Sequence, residues 1–382
     1  MGDFGAETSG VCAAISRVGH FHLGSAMDTG RVLAENGMTS TISAADAAIR
    51  AAANRRLDTL TKPLGALGRL EPLAAQVCAV QRTLTPAISH PVAVVFAGDH
   101  GVADRGVSAY PRAVTEQMVK NFLNGGAAIN VLARLQGMEL WIVDAGVDGD
   151  CGSHPRLIAA KIRRGTRDLS VEAAMSAAEC RAALERGAQV IDQVIPRGGN
   201  TVVLGEMGIG NTASAALLMH GLTGLPLADC IGRGTGLDDA GLKRKRDVLA
   251  AAFARRPAPQ AAEELLAEFG GYEIAMLVGA LLGAAAHRSL IIVDGFTVTV
   301  AAALAARIEP CVLDYCVFGH CSAEHAHRAL LSHLRAEPLL DLGMRLGEGS
   351  GAAVALSVVR AAVDLFTRMA TFEGAGVSER IA

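Results

Sequence analysis

Short apolar runs recur from about residue 91 onward, and each ends in glycine or aspartate. Val92–Phe96 leads into Ala97-Gly-Asp-His-Gly101, and Leu140–Val143 into Asp144-Ala-Gly-Val-Asp148. Thr201–Leu204 precedes Gly205-Glu-Met-Gly-Ile-Gly210, Leu290–Val293 precedes Asp294-Gly-Phe296, and Cys311–Leu313 feeds Asp314 through His320. Runs this short, β-branched and continuous read as strands buried on both faces. Helix-length segments separate them. The pattern predicts an α/β fold with a large doubly wound, mostly parallel sheet, whose ligands sit outside the carboxyl ends of the strands.

The flanks have a different periodicity. Ser43 precedes a helical run, Ala44–Leu60, in which Ala45, Ala48, Ala52 and Leu57 fall near one face. Pro63 interrupts it, Gly65 and Gly68 permit a turn, and Leu70–Arg82 reads as a second helix before a Pro86–Pro91 linker. Spacing alone makes Lys62 and Arg69 solvated surface charges. Near the other end, Ala352–Met369 has the pattern of a long amphipathic helix. Residues 1–38 are glycine-rich and weakly patterned, so a flexible, dispensable extension is expected there.

Composition narrows the class. The longest apolar run, Ile274–Ala286, suits a buried core helix better than a membrane span. A net charge of −3, with both signs dispersed, points to neither nucleic acid nor an anionic membrane. No secretory signal is evident at the start, and eight scattered cysteines do not resemble a disulfide framework, so a cytoplasmic setting is expected. The 43 glycines exceed the usual ~7%, as fits many close turns around ligands.

The chemistry centres on Thr201–Ser214. A strand, a glycine turn (Gly205, Gly208, Ile209, Gly210) and a helix start at the cap types Asn211 and Thr212 make an anion site, because free amides and the helix dipole converge. Glu206 would repel a phosphate there, so it faces ribose hydroxyls or a nitrogen base; a tight turn with an exposed glutamate is the plainer alternative. A second loop, Gly232-Arg-Gly-Thr-Gly-Leu237, supplies Gly234, Thr235 and Gly236 ahead of Lys243-Arg-Lys-Arg246, a combination that favours phosphate. Ser108, Tyr110 and Gln117, beside Val107 and Met118, suit a planar uncharged heterocycle, or else belong to an ordinary capped helix. Asp99-His100 reads as a base, a metal ligand or a hydrogen-bonded structural pair. Glu348, between glycines and before the last long helix, is a second lone carboxylate. Cys311, Cys316, His320, Cys321, His325 and His327 match no paired zinc spacing.

Two other functions are open on these residues. Gly208-Ile-Gly-Asn-Thr-Ala213 fits a dinucleotide fingerprint, but the acidic residue near the required place, Asp229, follows a proline-containing segment that makes a poor strand. Neither glycine loop ends in Gly-Lys-Ser/Thr, which excludes a Walker loop. An NAD(P)-dependent oxidoreductase and a non-catalytic nucleotide-binding module are therefore the alternatives.

Five motifs occur together: Thr61-Lys-Pro-Leu-Gly-Ala-Leu-Gly-Arg-Leu-Glu71, Gly98-Asp-His-Gly-Val102, Gly205-Glu-Met-Gly-Ile-Gly-Asn-Thr212, Gly232-Arg-Gly-Thr-Gly236 and Leu346-Gly-Glu-Gly-Ser-Gly351. In this order the chain resembles the nicotinate-nucleotide–dimethylbenzimidazole phosphoribosyltransferases from about Thr61 to Gly376. The resemblance implies a homodimer without cofactor or metal. It also implies a large α/β substrate-binding domain (89–344) and a small helical domain drawn from both flanks (39–88 with 345–382). The implied reaction is attack of a benzimidazole-type base on C1′ of nicotinate mononucleotide, in cobalamin biosynthesis. Resemblance and loop chemistry together put the 5′-phosphate on Gly208–Thr212, Gly234–Gly236 and Lys245, the last weakly preferred over Lys243. Glu206 would hold the ribose or nicotinate side, with Gly205, Ser322 and Gly347 also on the nucleotide. Asp99, Ser108, Tyr110, Gln117, Met207 and Leu346 would line the base. Glu348 is the expected general base, with Asp99 and Glu206 as rivals. Where the family resemblance implies Ser-x-Glu-Pro-Gly-His, this chain has Ser322-Ala-Glu-His-Ala-His327.

Overall fold

The computed structural model describes residues 42–256, 259 and 261–378; the extension expected over 1–38 lies outside them. In chain order the helices are α1 (Ala47–Thr59), α2 (Leu70–Gln81), α3 (Ala113–Leu123), α4 (Ala128–Gln136), α5 (Ala177–Val194), α6 (Asn211–Thr223), α7 (Leu227–Cys230), α8 (Asp239–Arg255), α9 (Ala262–Phe269), α10 (Tyr272–Ala286), α11 (Phe296–Ile308), α12 (His327–His333), α13 (Ser350–Arg368) and α14 (Phe372–Ala375). Six strands, β1 (Val92–Gly98), β2 (Glu139–Gly146), β3 (Leu157–Ala159), β4 (Thr201–Met207), β5 (Leu290–Val293) and β6 (Cys316–Phe318), form one sheet in the order β3-β2-β1-β4-β5-β6. Every pairing is parallel. The strand order reverses between β1 and β4, and sheets of this kind bind ligands in the crevice outside the carboxyl ends of the strands at such a point.

β1 is buried along its whole length, as its unbroken apolar run requires. Helices α5, α10 and α11 pack together on one face, and α2, α4 and α13 on the other. α10 is buried nearly all round, so it is apolar all round. α13 is long and apolar enough to cross a membrane by length and composition, a point the run-length reading missed; ten of its residues are buried in the fold, among them Ala353, Leu356, Val359 and Phe366. The two chain ends meet: Leu60 bridges Thr371, and the Thr61 amide donates to the Ala370 carbonyl at 3.0 Å.

Several local expectations shift. The cap of α1 is Asp46, whose carboxylate accepts the Ile49 amide at 2.9 Å, whereas the Ser43 carbonyl accepts the Tyr315 hydroxyl. Gly205 lies inside β4, not in the loop after it. The last strand begins at Cys316 because Pro310–Tyr315 coils into a 3-10 turn with Glu309 capping the Cys311 amide at 3.1 Å. β3 was not anticipated at all. Lys62 is buried and pairs with Glu71 at 2.8 Å, so it is no solvated charge; Arg69 is half exposed and reaches the Glu337 carbonyl at 2.7 Å.

The α5–α10 contact depends on absent side chains. A Cβ on Gly279 would run into the Leu184 backbone, and one on Gly187 would come within 2.7 Å of Met276 Cα and carbonyl carbon. Gly279→Ala therefore forces two backbones apart and is expected to cost ~1–3 kcal/mol, read from urea unfolding. A change below about 0.5 kcal/mol, the range of a neutral surface substitution, would show that α5 shifts freely.

Candidate active site

The crevice is built from strand ends. After β1, Asp99 accepts the Asp148 amide at 2.8 Å, which ties β1 to the end of β2, and burial pushes its carboxyl up. The next residue, His100, is wholly enclosed: Nε2 lies 2.6 Å from Glu273 Oε1 and Nδ1 lies 2.9 Å from Ser214 Oγ. Of the alternatives for Asp99-His100, the histidine thus serves as a hydrogen-bonded brace, and it fixes Glu273 under the crevice.

At the end of β4, Glu206 is half-buried, and its carboxylate accepts from the Asn211 side-chain amide. Asn211 is thereby the first residue of α6, not its cap; Gly210, in the left-handed region at φ 97°, holds that place. Ile209 gives its amide to Thr115 Oγ1 (3.1 Å) and Asn211 gives its own to the Gly208 carbonyl (3.2 Å). The Ala213 amide donates to the Gly210 carbonyl at 2.9 Å, so of the first three amides of α6 it is that of Thr212 that stands open among the described residues. Gly208 abuts the Gly98 carbonyl, a contact no Cβ would permit.

Thr212 faces Lys245, the most buried lysine or arginine among the described residues at 0% exposure. Its ammonium donates to Thr212 Oγ1 (2.9 Å) and the Gly232 carbonyl (3.1 Å), and burial pulls its pKa down to about 8 against the opposing effect of Glu324. Lys243, by contrast, is exposed and pairs with Asp247 one turn on at 2.8 Å. The Gly234 amide is held by Glu324 at 3.3 Å, and Thr235 Oγ1 by Ser108 Oγ (3.0 Å) and the Ala109 amide (3.1 Å). Gly236 turns at φ 108° beside Arg345. Ser108 is thus stitched to the phosphate-type loop, Tyr110 and Leu346 stand more than half exposed at the rim, and Gln117 is exposed on α3.

The loop before α13 closes the crevice. Gly347, Glu348 and Gly349 have φ of 83°, 64° and 81°, and Glu348 is one of the few non-glycine residues in the left-handed region. The loop lies directly on β4. A Cβ on Gly205 would sit 2.5–2.6 Å from the Glu348 carbonyl group, and the Glu348 amide donates to the Glu206 carbonyl at 3.2 Å. Glu348 is 4% exposed, and its Oε2 has no hydrogen-bond partner among the described residues. Burial raises its pKa, the Ile129 amide opposes, and Asp294 raises it further. Glu206 is pushed from 4.5 to about 8 by burial first, then by Asp294 and Glu273. Four carboxylates therefore share one space, and among the described residues no lysine or arginine pairs with any of them.

Ser322 starts a tight turn: its amide donates to His327 Nδ1 at 2.8 Å and its hydroxyl accepts the Glu324 amide at 3.2 Å. His325 is exposed, and Ala326 sits at an ordinary φ of −82°, so the chain's departure from Ser-x-Glu-Pro-Gly-His leaves the turn unstrained. Burial pulls His327 down to about 3, which keeps it neutral. Among the described residues, no three His, Cys, Asp or Glu side chains are placed to hold a metal ion. Asp229 is exposed within α7 and ends no strand, which removes the acidic partner a dinucleotide site needs. Sequence reasoning missed Glu273 and Glu324. A lone glutamate opening the apolar run Ile274–Ala286 was a usable signal for the first; the second stands in the quoted Ser322-Ala-Glu-His-Ala-His327 turn but was given no role.

Comparison with known proteins covers nearly the whole described chain. A family model described as phosphoribosyltransferase matches residues 42–377. The nicotinate-nucleotide–dimethylbenzimidazole phosphoribosyltransferase of Dechloromonas aromatica is 54% identical over 342 residues, which is 89% of this chain and 98% of that one. The protein of that name from Cupriavidus taiwanensis is 54% identical over 333 residues, 87% of this chain and 96% of that one. Among solved structures, CobT from Thermus thermophilus superposes with a TM-score of 0.84 at 43% identity, covering 87% of this chain and all of that one.

The raised pKa of Glu206 has a consequence for stability. In the folded chain it keeps its proton up to about pH 8, whereas unfolded it ionises near 4.5. Between those values the unfolded state binds fewer protons, so this group's stabilising contribution is full below about pH 4.5 and is lost as pH rises toward 8. Glu206→Gln should therefore lose less stability than the wild type between about pH 5 and 8, measured as urea midpoints. Parallel curves would contradict the raised pKa.

Proposed function

We propose a division of labour among these residues from one premise: the chain belongs to the nicotinate-nucleotide–dimethylbenzimidazole phosphoribosyltransferase family. It is a pentosyltransferase that moves the phosphoribosyl group of nicotinate mononucleotide to dimethylbenzimidazole, giving α-ribazole 5′-phosphate and nicotinate. In the proposed reaction, one ring nitrogen of the base bonds to C1′ as the C1′–nicotinate bond breaks. That electron pair returns to the pyridine ring, and configuration at C1′ inverts. The other ring nitrogen loses its proton to Glu348.

The observation that carries this reading is the state of the Glu348 carboxylate. It is buried, unpaired on Oε2 among the described residues, and raised in proton affinity by enclosure, which is what a base working near neutrality requires. Without it, attack would leave a cation in a dry pocket, at high cost. Lys245 and the first turn of α6 take the phosphate; Lys245 already lies against Thr212 and the Gly232 loop, and among the described residues it forms no ion pair. Glu206 takes the ribose side. Ser108, Tyr110, Met207 and Leu346 line the base, and the rim position of Tyr110 and Leu346 leaves apolar surface for a flat ring to cover. We place the enzyme in the cytoplasm as a homodimer; Val131 and Leu135, exposed one turn apart on α4, are apolar surface a partner could cover.

Mass spectrometry of products from nicotinate mononucleotide with a panel of azole bases tests the reaction; hydride transfer to a nicotinamide without nucleoside formation would support the oxidoreductase instead. Glu348→Gln should bind both substrates with kcat down ~10²–10⁴-fold. Normal turnover by this variant, or a collapse only in Glu206→Gln, would remove Glu348 from the role. Lys245→Ala should raise KM for nicotinate mononucleotide roughly ten- to hundredfold, as for loss of a charged hydrogen bond, and barely affect KM for the base. Equal effects on both would contradict the phosphate assignment.

A further inference from the structure

Asp294 follows β5 and is 1% exposed. Its Oδ2 accepts the Gly349 amide at 3.1 Å and its Oδ1 the Ala352 amide at 2.9 Å. It therefore grips the chain on both sides of the start of α13, directly after Glu348. His320, following β6, lies behind it with Nε2 3.4 Å from Oδ1, and Gly351 leaves the room for that imidazole ring. Neither His320 nitrogen finds a hydrogen-bond partner among the described residues.

A helix N-terminus attracts the nearest anion. Here Asp294 occupies the α13 amides, so Glu348, one residue outside them, is left with the Ile129 amide alone. We infer that Asp294 is a positioning residue for the reaction: it fixes the turn that presents Glu348, and its fixed negative charge favours transfer of the proton onto Glu348. The inference rests on Glu348 being the base. The other titratable groups around this space are Glu206 on β4, His320 after β6, and Glu273 at the start of α10 with its partner His100 after β1. It faces both Glu206 and Glu348, and its charge raises both.

A mere helix cap makes a different statement: its loss would lower turnover alike at every pH. The test uses the full chain and measures kcat against pH at saturating nicotinate mononucleotide and base, for the wild type, Asp294→Asn, Asp294→Glu, Glu348→Gln and Glu206→Gln. Asp294→Asn removes the charge, so the acid limb should move down by about one pH unit while the plateau falls. Asp294→Glu keeps the charge and displaces the turn, so the limb should stay and kcat fall at least ~10-fold. Glu206→Gln should retain the limb. An unmoved limb in Asp294→Asn, or wild-type turnover in Asp294→Glu, overturns the inference; if Asp294→Asn does not fold, Asp294→Glu decides alone. A limb that vanishes in Glu206→Gln also overturns it, since the titration then belongs to Glu206. Normal turnover in Glu348→Gln overturns the base assignment itself, whereas collapse there with an unmoved Asp294→Asn limb overturns the Asp294 inference alone.

Discussion

The missing side chain of Gly205 is the constraint on which the site depends. With a Cβ there, the Glu348–Gly349 backbone could not lie on β4. Because it does, the Glu348 amide reaches the Glu206 carbonyl, Gly349 reaches Asp294, and a left-handed turn with three successive positive φ values becomes sustainable. Strain of this sort persists only where the surroundings over-determine it. A C-terminal loop is thus brought onto the centre of a sheet assembled from the middle of the chain.

Charge is sorted along the same crevice. Carboxylates gather at the ends of β4 and β5, and Lys245 lies toward the glycine loop and α6. A nucleotide whose phosphate is anionic and whose reacting C1′ becomes electron-poor suits that polarity: the cation meets the phosphate and the oxygen-rich ends of β4 and β5 face the developing positive charge. Burial then sets the protonation states. A single carboxylate in water would be ionised and weakly basic; in this cluster Glu206 keeps its proton to about pH 8 and Glu348 is shifted in the same direction.

Much of this was legible before folding because burial on two faces forces continuous apolar runs, and ligand loops force glycine. Four of the six strands and the two glycine loops follow from those rules. β3 escaped because three residues carry too little pattern, and the final strand was displaced by the turn that Pro310 begins. Gly205 was assigned to a loop because its reason for being glycine is a backbone far away in sequence. Lys62 looked like surface charge because Glu71, its partner, comes near only once the turn between α1 and α2 forms. Lys245 and Glu348 were found through composition and resemblance. A hydrogen-bonded structural role was among the readings of Asp99-His100, but the partners Ser214 and Glu273 and the bracing by Asp294 were not legible, since they exist only when β1, α6, α10 and β5 converge.

The most direct measurement is a crystal structure of the enzyme holding α-ribazole 5′-phosphate. The ring nitrogen opposite the glycosidic bond should lie ~2.6–3.2 Å from the Glu348 carboxylate, hydrogen-bond reach for a general base, with the phosphate against Lys245 and the first turn of α6. A ring nitrogen held by Glu206 or Asp99 with Glu348 turned away, or a phosphate seated elsewhere, would contradict the assignment of base and cradle.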